Sequence, residues 1–239
     1  MASQTKSDSK SQPDPRAAIV DALMSLAARQ RFEDISIRAI CDEAKVSLAA
    51  FRDAFPSKGA ILAGYSRRID GAVLAHDGAD LAGEPAKERL FDVLMRRLDA
   101  MAPHREGLRE VVAWLRRDPV AALGVNQVVV NSMRFMLEAA GLGDEGDAGF
   151  VKLQGLAFAW GRVVDVWLDD EEKDQARTMA ALDRELTRGE KAVANLERLD
   201  NFAAPLKALA RSALTMSGRF AGDFRRRPVA PTQAAEDPA

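Results

Sequence analysis

Between Ser36 and Lys58 the chain reads SIRAICDEAKVSLAAFRDAFPSK, and this stretch restricts the possible folds more than any other. Ser36 is a side chain suited to cap a helix start. Ile37, Ile40, Cys41 and Ala44 follow at i, i+3, i+4 and i+7, so a short helix with one apolar face is predicted. Lys45 and Val46 break the pattern, and Ser47 can cap a second helix carrying Leu48, Phe51 and Phe55. Pro56 has no N–H to donate and stops that helix. Ser57 then caps a longer helix beginning at Lys58. Two short helices around a tight turn describe a helix-turn-helix.

The rest of the chain supplies helices for such a unit to pack on. Pro15 suits a first helical turn, and Ile19, Leu23, Leu26 and Ala27 form a stripe ending near Gln30. From Lys58 to about His76, Ile61, Leu62, Tyr65, Ile69 and Val73 share one side. DGADLAGEP, residues 77–85, reads as a boundary. Beyond Glu84, Leu90, Phe91, Leu94 and Leu98 mark a helix ended by Pro103, and Leu108, Val111, Val112 and Leu115 mark one ended by Asp118-Pro119. A third, from Pro119 to about Ala140, carries Leu123, Val128, Val130 and Met133 before the glycine-rich loop 141–149. Helices over about 150–168 and 174–199 complete the body. No strand alternation bounded by hairpin signals occurs, so the expected fold is all-α. Residues 15–76 are expected to form the helix-turn-helix domain with its connecting helix and 84–200 a helical body. Residues 1–14 and 228–239 read as disordered tails, and 201–227 as a basic amphipathic helix.

Charge narrows the partners. The formal net charge is −2 over 239 residues, but residues 16–76 carry nine basic and seven acidic side chains and 201–227 carry six and one. Residues 84–200 hold seventeen basic and twenty-two acidic, so a polyanion is expected at an end of the chain. The N-terminus is polar and has no apolar leader, and Cys41 is the single cysteine, so a reducing, cytoplasmic setting is expected. No run of eighteen apolar residues predicts a membrane span.

From Ile19 to Lys58 the chain resembles the DNA-binding segment of the tetracycline-repressor (TetR) family. The resemblance rests on the apolar helix around Ile19 to Ala27, Phe32, Ser36-Ile37 with Ile40-Cys41, Ala44-Lys45-Val46-Ser47, Phe51, and Phe55-Pro56-Ser57-Lys58. Two positions depart from the family pattern: Lys45 stands where the turn usually has Gly, and Arg52 where Tyr usually follows Phe51. A left-handed turn at Lys45 costs a non-glycine residue about 1 kcal/mol. The resemblance implies a TetR-like fold and a dimeric, ligand-responsive transcriptional regulator, with double-stranded DNA and a second copy of the chain as partners. The helix from Ser47 would enter the major groove, with Lys45, Ser47, Arg52 and Lys58 on phosphates and Ser36 and Arg38 beside them. Leu48 and Ala49 offer the bases only apolar contact, such as a thymine methyl.

Similarity to the family also implies a four-helix dimer interface from the last two body helices. Gly155, Ala159, Arg162 and Val163 on one, and Met179, Leu182 and Leu186 on the other, are the expected contacts. Arg162 and Asp165, three apart, could pair with each other. Asn126, Asn131, Gln154 and Trp160 are candidate lining for a ligand pocket, and the aliphatic inventory around them favours a small apolar ligand. A second reading is a lipid-binding accessory protein of the same fold. The segment 167–191 is similar to part of the ubiquinone-biosynthesis lipid-binding proteins, and residues 201–227 would then meet an anionic membrane surface.

Enzymatic chemistry is not expected. Two histidines (His76, His104) and one cysteine supply no His/Cys metal cluster, and no glycine-rich phosphate loop follows a strand. No nucleophile has a base near it in the pattern, and no cofactor is implied. The acidic run Asp169 to Glu172 is read as a solvated turn, and Cys41 as core.

Overall fold

Among the described residues eight helices run in order: α1 (Pro15–Ala27), α2 (Ile37–Ala44), α3 (Leu48–Ala54), α4 (Lys58–Leu74), α5 (Ala86–Met101), α6 (Arg105–Arg117), α7 (Pro119–Ala139) and α8 (Gly149–Leu168). A ninth, α9, fills 176–195. The computed structural model describes residues 14–76, 83–143 and 149–195, and no strand occurs among them. The basic segment 201–227 and both expected tails lie outside the described residues, Asp14 apart. Residues 1–189 form one unit and 190–239 a second, of which 190–195 are described and helical. The fold is all-α.

Helix starts follow local chemistry. Asp14 accepts from Arg16 N at 3.0 Å ahead of Pro15. Ser36, Ser47 and Ser57 each accept from the backbone N–H three residues on, at 3.1, 3.1 and 3.3 Å. Lys45 adopts the left-handed conformation, φ 55° and ψ 40°, which lets Val46 N–H reach Cys41 O at 3.0 Å and close α2. Ile40 and Cys41 are buried, but Ile37 is 39% exposed, contrary to the expected stripe. It sits in the first turn of a short helix, between exposed Ser36 and Arg38.

The head, α1 to α4, packs around Ile19, Leu23, Phe32, Ile40, Phe51, Phe55, Ile61 and Leu62. A β-carbon at Gly64 would lie 2.6 Å from the Phe55 ring, so only glycine lets α4 approach that ring this closely. In the body, α7 packs on α4, α5, α6 and α8. Val130, Met133 and Met136 of α7 are buried, while Leu123 of the expected apolar stripe is exposed, as is Val120 beside it. By length and mean hydropathy (1.3) α7 passes as a membrane-crossing helix, but its second half is spent on the body's core.

Head and body are joined at two places. The first is α4, which carries Tyr65, Ile69, Asp70 and Val73 into the body. The second is α6, which lies so close to α1 that a β-carbon at Gly107 would sit 2.5 Å from the Met24 carbonyl oxygen. Beside it Phe32 stacks on Trp114 with ring centroids 4.2 Å apart, and Phe32 N–H donates to Glu110 at 3.1 Å. Arg117 donates to Glu33 at 3.0 and 3.2 Å and to Glu110 at 3.0 Å. The hydrogen bond from Arg117 holds the Glu33 carboxyl down to about 2. At the same junction His104 meets Tyr65 edge-on at 5.5 Å, with Nε2 3.6 Å from Asp21. Burial lowers its pKa, helped by Arg68 and opposed by Asp21.

Asp170 corrects the reading of the acidic run. It is fully buried and accepts from Thr178 N at 2.9 Å and Thr178 Oγ1 at 2.7 Å, fastening the first turn of α9. Those bonds lower its pKa, led by the Thr178 hydroxyl. Arg105 donates to the carbonyls of Trp167 and Asp170, and Arg109 to that of Leu168 at 2.5 Å, closing α8 with positive charge at its C-terminus.

Candidate nucleic-acid interface

The surface of α2, the turn and α3 is built by its own caps. Because Ser36 and Ser47 accept from backbone N–H groups, their hydroxyl protons stay available to an outside acceptor. Both residues are exposed, as are Arg38, Lys45, Ala49 and Arg52, and Leu48 is 57% exposed. Arg38, Lys45 and Arg52 make no hydrogen bond or salt bridge among the described residues. By contrast Arg29 is tied to Glu43 at 2.6 Å and Arg31 to Glu33 at 3.3 Å. The surface therefore holds three uncommitted cations around a short apolar helix face, with Asp42 and Asp53 exposed beside them. Phe51, Ala54 and Phe55 turn the opposite face of α3 into the core.

Lys58 does not belong to this surface. Its ammonium donates to Phe32 O at 2.6 Å, Ile35 O at 3.0 Å and Glu33 O at 3.4 Å, and lies 4.6 Å from the Phe32 ring centre. All three of its N–H donors are engaged by backbone carbonyls, so its expected role on a phosphate is corrected to one of fixing the chain between α1 and α2. Burial pulls its pKa down, against the pull of Glu33 and Asp34.

The expected pocket residues do not converge. Asn131 is exposed and accepts from Gln127 at 3.2 Å along α7, while Asn126 and Gln154 are half-buried. Of the four, Trp160 alone is core, its ring 5.5 Å from the Arg97 guanidinium. Besides Asp170, Thr178 and Glu185, the buried polar groups are Ser66 and Asp70 of α4, Arg97 of α5 and Ser132 of α7. Arg97 donates to Asp70, and Ser132 donates to the same Asp70 oxygen at 2.6 Å. A readable signal existed, since Ser66 and Asp70 interrupt the stripe Ile61, Tyr65, Ile69, Val73, and Arg97 sits between Leu94 and Leu98.

The expected dimer residues divide. Val163, Leu182 and Leu186 are buried inside the protomer's own core, so they are not free for a partner. Arg162 bonds to Glu185 of α9 and Asp165 to Arg116 at 2.8 Å, each reaching across helices rather than to the other. Gly155, Phe158, Gly161 and Arg162 form the outward face of α8, where Phe158 is 67% exposed. Nothing lies within 4 Å of a β-carbon built at Gly155 or Gly161, so this face is shallow and open. Ala159 and Met179 are half-buried.

Solved structures share this architecture. The chain matches the TetR transcriptional regulator from Nitrosomonas europaea ATCC 19718 at a TM-score of 0.59 and 26% identity, covering 74% of this chain and 99% of that one. It matches a TetR transcriptional regulator from Rhodococcus sp. RHA1 at 0.52 and 17%, covering 73% and 95%. No family model and no curated protein matches the chain.

Proposed function

On the premise that this is a chain with the TetR-like fold, we propose that it is a dimeric transcriptional regulator that grips duplex DNA through α3 and releases it when a small ligand enters the body. The observation that carries the reading is the trio of uncommitted cations, Arg38, Lys45 and Arg52, set around the exposed Leu48-Ala49 face of a helix-turn-helix. Arg38, Lys45 and Arg52, with the hydroxyls of Ser36 and Ser47, hold phosphates, while Leu48 and Ala49 face the base edges. Such a face reads sequence weakly, so affinity comes mainly from the phosphate contacts and is strongly salt-dependent. Two copies joined across the open α8 face, with α9 beside it, hold the heads about 34–36 Å apart, one helical turn of DNA. A ligand that favours a different separation empties the DNA by population shift.

The test is a titration of genomic fragments by the purified protein at two salt concentrations. Six phosphate contacts per dimer give a slope of log affinity on log salt of about −5. The preferred fragment should exceed random DNA by at least tenfold. If no fragment does, the regulator reading fails.

A further inference from the structure

The buried polar centre of the body has more donors than acceptors. Arg97 is 4% exposed and lies where α4, α5 and α7 meet, against Trp160 of α8. It spends one Nη on Asp70 Oδ1 and the other on Ser66 Oγ at 3.3 Å. Ser132 spends its hydroxyl on the same Asp70 oxygen. The Arg97 Nε–H and the Tyr65 hydroxyl are both buried with no partner. Unmade bonds at buried donors are costly, and native proteins keep few of them. The two belong to one neighbourhood: Tyr65 directly precedes Ser66 on α4, and Arg97 bonds both Ser66 and Asp70 of that helix. The centre therefore offers two idle donors and a fixed positive charge, with one carboxylate as counterion.

We propose that this cluster is the effector site, and that the effector is a small carboxylic acid with an apolar body whose carboxylate binds Arg97 and Tyr65 in competition with Asp70. The proposal rests on the ligand-responsive reading above and names its ligand class. A neutral hydrocarbon leaves both donors unmet, and an amine is repelled by Arg97. A carboxylate matches the planar guanidinium fork and supplies acceptors enough for Nε, Nη and the phenol. Two anions do not share one buried guanidinium at low cost, so the incoming acid drives Asp70 away. Asp70 is on α4, the helix that begins directly after α3, so its displacement is felt at the head.

The full-length protein is titrated calorimetrically with sodium octanoate, 1-octanol and octylamine, with no DNA present. Octanoate should bind at least tenfold more tightly than octanol, and octylamine should give no heat. Tyr65→Phe should weaken octanoate severalfold and Arg97→Met at least tenfold. Because Arg97→Met can unfold the body, Asp70→Asn is the decisive variant. It removes the competitor and should tighten octanoate at least threefold, whereas damage to a purely structural pair weakens it. Equal binding of octanoate and octanol, weakening by Asp70→Asn, or no heat from any straight-chain acid of about four to twelve carbons overturns the proposal. In a separate titration with a bound fragment, octanoate that binds the protein but leaves the fragment in place overturns the effector role; octanoate binding by a protein for which no fragment exceeds random DNA sinks the regulator reading and leaves the acid site standing.

Discussion

Replacing Lys58 by methionine separates a structural cation from a DNA-binding one. In the native head the ammonium ties down Phe32 O at 2.6 Å and Ile35 O at 3.0 Å, and both bonds are partly buried. A bond from a charged donor contributes about 1.5–3 kcal/mol, and a buried acceptor left bare costs about 1–3 kcal/mol. Three effects reduce that sum. Lys58 is half-buried, so water reaches part of the vacated site; the ammonium's own desolvation is relieved; and the methionine stem keeps the contact with Phe32. The net loss is about 2 kcal/mol. At roughly 2–4 °C per kcal/mol for a domain of this size, Tm should fall by about 4–8 °C. The salt slope of DNA binding should stay unchanged. Arg52→Ala is the mirror image: an unchanged Tm, and a slope shallower by about 2 per dimer, since each phosphate contact contributes about 0.9. Thermal melts followed by circular dichroism and fluorescence anisotropy at several salt concentrations give both numbers. A Lys58→Met protein that melts like wild type yet loses salt slope would show Lys58 on the DNA and refute the argument.

Gly107→Ala should destabilise by at least about 2 kcal/mol, because its β-carbon meets a backbone oxygen that cannot swing aside; a chemical-denaturation midpoint equal to wild type contradicts the α1–α6 contact. Lys45→Gly should raise stability by about 0.5–1 kcal/mol by removing left-handed strain at φ 55°, while making the salt slope shallower. A fall in stability in urea unfolding argues against that strain. His104 has a folded pKa below its ordinary 6.5, so the unfolded chain takes up a proton first as pH falls. Its contribution is complete above pH 6.5 and is lost as the pH drops through the lower folded value. Glu33, ordinary pKa 4.5 and folded about 2, acts in the same direction but only at lower pH. His104→Gln should flatten the decline of Tm below pH 6.5 and leave the acid limb in place; an unaltered profile rules His104 out as its source.

Local chemistry is what the sequence showed best. Three serine caps, Pro15 and Pro56 act within four residues of themselves, and each is where the pattern predicted; the left-handed Lys45 is where the family resemblance implied it. Surfaces were harder to read because an apolar stripe does not say what covers it. Val163, Leu182 and Leu186 satisfy the periodicity of a dimer helix and are consumed by their own core. Charges failed for a related reason: Arg162 and Asp165 are neighbours in sequence, but Glu185 and Arg116, brought in by other helices, are better placed. The Asp70–Arg97 pair joins residues far apart in the chain, and only tertiary packing shows that both interruptions of apolar stripes meet.

The two joints between head and body set the kind of motion available. A head hung from a single rod can swivel freely; this one is braced by α4 and also by α6, through the Gly107 contact and the Phe32–Trp114 stack. A braced lever does not swivel but tips, by sliding one brace along its axis relative to the other. Asp70 sits on one brace, and Arg97 on the helix that leads through a single short turn into the other. Under the acid-site proposal, prising those two side chains apart would act on both braces at once, and helix shifts at packed interfaces are about 1–2 Å in scale.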